Sequence, residues 1–118
     1  MNAPQLTLTL LQGSVTFDFT PEAAQDLQQA IADLMNNLKA VASQSAKGGN
    51  RPTPQPPMEY RYTGSVFLEV FCNPNIYPSP FAAKVLVTVR DERIRLTTEA
   101  ELTRLVENIN LYLQQAGQ

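Results

Sequence analysis

Cys72 is the only thiol in this chain of 118 residues, and the chain contains no histidine. These two facts remove most of the chemistry open to a small domain. Without histidine there is no imidazole base near neutral pH, no Ser–His or Cys–His nucleophile pair, and no ordinary zinc site. With one cysteine there is no second thiolate to share a metal and no intrachain disulfide. A reactive thiolate needs cations or a helix N-terminus beside it, whereas Cys72 stands between Phe71 and the uncharged Asn73 and Pro74. It is expected to be the last buried residue of a strand.

Carboxylates are the remaining candidates, and their positions do not pair. Asp18 falls on a strand pattern, Glu22 and Asp26 at a helix start, Asp91 and Glu92 in a turn. Nothing in that spacing suggests joint acid–base work. Gly48 and Gly49 lie outside any phosphate-binding or dinucleotide-binding pattern. The residues therefore predict a protein with no catalytic site, cofactor or metal, one that works by binding.

Composition narrows what it would bind. Hydrophobic residues make up 43% and charged residues 17% of the chain, enough apolar material for one folded domain. The net charge of −2 gives no bulk attraction to nucleic acid or anionic membrane. Charge is nevertheless uneven. Lys39 is the only cation before residue 47, against Asp18, Glu22, Asp26 and Asp33, so any basic surface belongs to the second half. The start of the chain lacks a basic segment followed by a long apolar one, and "SVFLEVF" is far too short to span a bilayer. A cytoplasmic protein with a reduced thiol is expected.

The elements that must position any binding residues follow from periodicity. Leu6, Leu8 and Leu10 alternate with threonines, as do Val15, Phe17 and Phe19 with Thr16 and Asp18, predicting a hairpin turned at Gly13. Thr20 and Pro21 then open an amphipathic helix of about 20 residues with Ala24, Leu27, Ile31, Leu34, Met35 and Leu38 on one face. Residues 43–57 turn small, polar and Gly/Pro-rich, predicting a flexible linker. Residues 60–71 read as one long central strand with apolar groups on both faces, and Val85, Val87 and Val89 mark another. "RDER" predicts a turn into a short strand with Ile94 and Leu96 inward and Arg93 and Arg95 outward. Thr98 with Glu101 then reads as a capping box for a last helix striped by Leu102, Leu105, Val106, Ile109, Tyr112 and Leu113. The expected fold is α+β in two layers, order ββα–linker–βββα. One antiparallel sheet of about five strands carries both helices on one face.

If the valines face the helices, the opposite parity forms an open face bearing Phe67, Phe71 and Leu86. Arg61, Lys84, Arg90, Arg93 and Arg95 surround them. Such apolar groups are not left in water without cause. Three occupants are open: the chain's own loop or linker, another protein chain including a second copy, or single-stranded nucleic acid stacked on the aromatics with arginines on its phosphates. A protein-interaction or assembly module, self-associating through this face or a strand edge, is the leading expectation, with nucleic-acid binding the alternative. The loop "CNPNIYPSPF" is the second candidate. Its prolines restrict the backbone, so Ile76, Tyr77 and Phe81 either form a pre-ordered contact or tuck under to cap the core.

Overall fold

The computed structural model describes residues 4–46 and 53–116. Its strands are β1 (Gln5–Thr9), β2 (Ser14–Asp18), β3 (Met58–Thr63), β4 (Phe67–Cys72), β5 (Lys84–Arg90) and β6 (Arg95–Glu101). Its helices are α1 (Pro21–Ala46) and α2 (Leu102–Ala116), and two short 3₁₀ turns, Pro74–Ile76 and Pro80–Ala82, lie between β4 and β5. The fold is α+β with antiparallel strands throughout. The strands form two sheets rather than one: a β1–β2 hairpin and a four-stranded sheet in the order β3-β4-β5-β6.

The hairpin is held by Leu6, Leu8 and Phe17 on its buried side and by directly opposed Thr7 and Thr16, whose hydroxyls are 2.7 Å apart, on its open side. Gly13 sits at φ 80°, in the left-handed region that favours glycine, and its carbonyl accepts from the Leu10 N–H at 3.0 Å. Helix α1 begins as its sequence predicts. The Ala23 N–H donates to Thr20 Oγ1 at 3.1 Å, and Pro21 occupies the first turn, where its missing N–H costs nothing. Leu27, Leu34 and Leu38 are fully buried, each contributing about 1.5–3 kcal/mol of transfer free energy. The helix runs to Ala46, past the expected linker boundary at 43, because "ASQSA" carries no glycine or proline to stop it. Most of the expected linker, 47–52, lies outside the described residues. Residues 53–57 belong to no regular element, and the Thr53 N–H donates to Gln44 Oε1.

The single strand expected over 60–71 is instead the β3–β4 hairpin. Residues 64–66 form the turn, with the Gly64 N–H bonded to the Val66 carbonyl at 3.0 Å. A Cβ on Gly64 would lie 2.1 Å from Tyr62 Oη, so the Tyr62 ring packs where only glycine leaves room. The expected helix cap at Thr98 also fails. Thr98 pairs with Val87 inside β6, and the ladder continues to Glu101 opposite Lys84. Helix α2 starts at Leu102, whose N–H is taken by the Ala83 carbonyl at 3.0 Å. The seven-pair ladder outweighs one side-chain cap, and starting the helix later still buries Leu102, Leu105, Ile109 and Tyr112. Ile94 was expected to point inward, but it lies in the β5–β6 turn at 68% exposure, with Arg93 beside it.

The core lies between the four-stranded sheet, the two helices and the hairpin. Helix α1 packs along β3 and against α2, and α2 packs on β1 and β6. Two buried tyrosines tie these layers: Tyr60 donates to the Ala23 carbonyl at 3.0 Å and Tyr112 to the Phe19 carbonyl at 2.8 Å. At the hairpin tip the Leu11 N–H reaches the Glu99 carbonyl on the outer edge of β6 at 3.1 Å.

Candidate functional site: the open sheet face

With both helices on one face, strand alternation sends the odd residues of β3 and β4 and the even residues of β5 to the other. The registers set these side chains in rows across the sheet. One row is Glu59, Phe71, Leu86, Glu99. The middle row is Arg61, Glu69, Thr88, Thr97. The third is Thr63, Phe67, Arg90, Arg95. Phe67, Phe71 and Leu86 thus share the open face as expected, on adjacent central strands. Leu86 is 43% exposed and both phenylalanines are half-buried.

The middle row is internally satisfied. Arg61 Nε donates to Glu69 Oε2 at 2.7 Å, and the hydroxyls of Thr88 and Thr97 approach to 3.4 Å. Thr88 is buried although it faces outward, while Arg61 and Thr97 in the same row are exposed. The third row is not neutralised. Arg90 and Arg95 stand directly opposite one another on β5 and β6, and among the described residues neither has an ion-pair partner. Arg90 lies over Phe67 instead, its Cζ 4.4 Å from the ring centroid. Arg93 joins this basic end from the adjacent turn. That turn is fixed by Asp91, whose carboxylate accepts from the N–H groups of Arg93 at 2.8 Å and Ile94 at 2.9 Å. These bonds hold the Asp91 pKa below its ordinary value. At the opposite end Glu59, Glu99 and Glu101 likewise have no ion-pair partner among the described residues, with Lys84 opposite Glu101.

The face therefore has a basic end that includes Phe67, an ion-paired and hydrogen-bonded middle row, and an acidic end that includes Phe71 and Leu86. Glu59 and Glu99 escaped the sequence reading: Glu59 precedes the expected start of the long strand, and a helix capped at Thr98 takes Glu99 off the sheet.

The loop between β4 and β5 is a separate matter. Its two 3₁₀ turns pack against α1 and α2, drawing it to the helix layer. Pro74 is buried and Tyr77 is half-buried against the core, while Ile76 and Phe81 are exposed at 66% and 83%. The expected choice between contact and core cover is thus divided residue by residue. Asn75 pins the loop by exchanging two hydrogen bonds with the backbone of Gln55, at 2.8 and 2.9 Å, and Asn73 Oδ1 accepts from the Asn75 N–H at 3.0 Å.

Cys72 closes β4 on the buried side, and burial pushes its thiol pKa up to about 11. Among the described residues no cluster of three metal-ligating side chains occurs, and no helix is long and apolar enough to cross a membrane. Comparison with protein-family models, with curated proteins and with solved structures gives no match to this chain.

Proposed function

We propose that this chain is a non-catalytic protein-interaction or assembly module that self-associates through the open face of its four-stranded sheet. The observation that carries this reading is the placement of Phe67, Phe71 and Leu86 on central strands of a face with no helix over it. Apolar side chains on central strands, flanked by charged residues on the edge strands, are the usual anatomy of a protein contact. A buried, protonated thiol suits a reducing, cytoplasmic setting.

Two features favour a protein occupant over single-stranded nucleic acid. Arg90 already covers the Phe67 ring that a base would need for stacking. Glu59, Glu99 and Glu101 lie on the same face, where a phosphate backbone would be repelled.

Sedimentation velocity across a wide concentration range tests the reading. The expected result is reversible growth from the chain mass to twice that mass. Leu86→Asp and Phe67→Asp are each expected to remain monomeric while keeping a cooperative unfolding transition. A wild type that stays monomeric throughout, or variants that associate as well as wild type, would overturn it.

A further inference from the structure

The charges on the open face select one way of stacking two copies. Basic Arg90 and Arg95 occupy one end of the strands, and acidic Glu59 and Glu99 occupy the other, four residues away or about 13 Å, with Lys84 opposite Glu101 beyond them. We infer that the occupant of this face is a second copy of the chain, stacked face to face about a two-fold axis that runs across the strands. This rests on the self-association proposed above and adds its geometry.

A closed pair needs a two-fold axis, and for face-to-face sheets it lies in the plane between them. If the axis ran along the strands, each row would meet itself reversed. Glu59 would then face Glu99 of the second copy, twice, with no cation between them. If the axis runs across the strands, each strand lies over its own counterpart with its direction reversed. Glu99 then faces Arg95 of the second copy, Phe71 faces Phe67, and Leu86 faces the Arg90 stem, each contact made twice. The middle row sits on the axis, so Arg61 and Glu69 each face their own counterpart, and the Arg61–Glu69 pair within each chain offsets those like charges. The strands of the two sheets cross at about −30° because each sheet is twisted. Glu99 and Arg95, both without ion-pair partners among the described residues, then find them across the interface, while Glu59 faces Thr63 of the second copy.

The size of the face sets the strength. Four strands about 4.8 Å apart and six residues at about 3.3 Å each project on the order of 400 Å². A stable interface of ordinary size covers roughly 800 Å² per partner. The pair is therefore weak and reversible. Its charged contacts lie at the rim, where salt screens them.

Charge exchange tests the arrangement. Glu99→Arg and Arg95→Glu, made separately, are each expected to weaken self-association by roughly tenfold or more, because like charges then meet twice. Mixing the two variants is expected to restore a dimer containing one of each. Combining both changes in one chain is expected to restore the homodimer. If the wild type dimerises but neither mixing nor combining restores association, the axis is wrong although self-association stands. If the single variants dimerise like the wild type, this face is not the interface. A wild type that is monomeric and instead binds a mixed-sequence single-stranded oligonucleotide would overturn this stacking and the self-association together.

Discussion

Arg90 Cζ lies 4.4 Å from the centroid of the Phe67 ring, directly across the β4–β5 ladder. One cross-strand contact thereby does two things on the open face. It shields the face of an aromatic ring, and it places a guanidinium opposite Arg95, with neither arginine ion-paired among the described residues. The expected stabilisation from an exposed cation–π contact is ~0.5–1 kcal/mol. A double-mutant cycle with Phe67→Leu and Arg90→Gln, followed by urea unfolding at low protein concentration, should return a coupling of that size. Removing Arg90 also relieves its repulsion with Arg95. The single change Arg90→Gln is therefore expected to cost less than Phe67→Leu. A coupling indistinguishable from zero would remove the contact from the account of this face.

The turn at Gly64 should tolerate no side chain. A Cβ there would come within 2.1 Å of Tyr62 Oη and 2.5 Å of its Cζ, and Tyr62 is itself braced by Phe19, with ring centroids 4.7 Å apart. The whole ring must move. Gly64→Ala is expected to destabilise the chain by about 1–3 kcal/mol, as overpacking does. Tyr62→Leu should remove the clash, so the double variant should fall well short of the sum of the two single losses. Thermal or urea unfolding of the four proteins checks this, and strict additivity would contradict it.

The Gly64 turn also explains how a hairpin was hidden from the sequence. Thr63 pairs with Phe67 and Tyr62 with Leu68, so paired residues have the same parity. Inward residues therefore stay even-numbered through the turn, and the alternation of residues 60–71 is the same for one long strand as for two antiparallel ones. The open face was legible for the same reason, since parity alone sends Phe67, Phe71 and Leu86 together. Its charge pattern was not. Which acid shares a row with which arginine depends on register, and register is set by turns and long-range ladders. At Thr98 the local signal pointed the wrong way: a good cap sequence yielded to pairing with Val87. The first hairpin and the start of α1 were legible because Gly13, Thr20 and Pro21 act within a few residues of themselves.

Alkali should weaken the fold through Cys72 and the buried tyrosines. Burial raises the Cys72 pKa to about 11 from an ordinary 9.0, and burial also raises Tyr60 and Tyr112. A raised folded-state pKa means the unfolded chain loses its proton first. The stabilisation is complete below about pH 9 and is lost as pH rises towards 11. The urea midpoint is expected to fall across that window, and Cys72→Ala should flatten part of the fall. A thiol reagent at neutral pH should modify Cys72 only as fast as the chain opens. Rapid labelling of the native protein would contradict this.

Asn108 offers a change that should alter stability while leaving association intact. It joins α2 to the first hairpin: the Thr9 N–H donates to Asn108 Oδ1 at 2.8 Å, and Asn108 Nδ2 donates to Thr9 Oγ1 at 3.3 Å. Both residues are half-buried and belong to elements outside the four-stranded sheet. Asn108→Ala strands the Thr9 N–H, and leaving such a donor unpaired costs about 1–3 kcal/mol. Asn108→Asp keeps an oxygen for that N–H, and the Thr9 hydroxyl can turn to donate to the carboxylate, so most of the loss should be recovered. Urea unfolding gives the stability order, expected to run wild type, Asn108→Asp, Asn108→Ala. Sedimentation of the folded variants should give the wild-type dissociation constant in each case, because the clasp does not touch the rows of the open face. A loss of association that tracks the loss of stability would mean the hairpin and α2 take part in the interface. The reading that assigns the interface to Phe67, Phe71, Leu86 and their flanking charges would then fail.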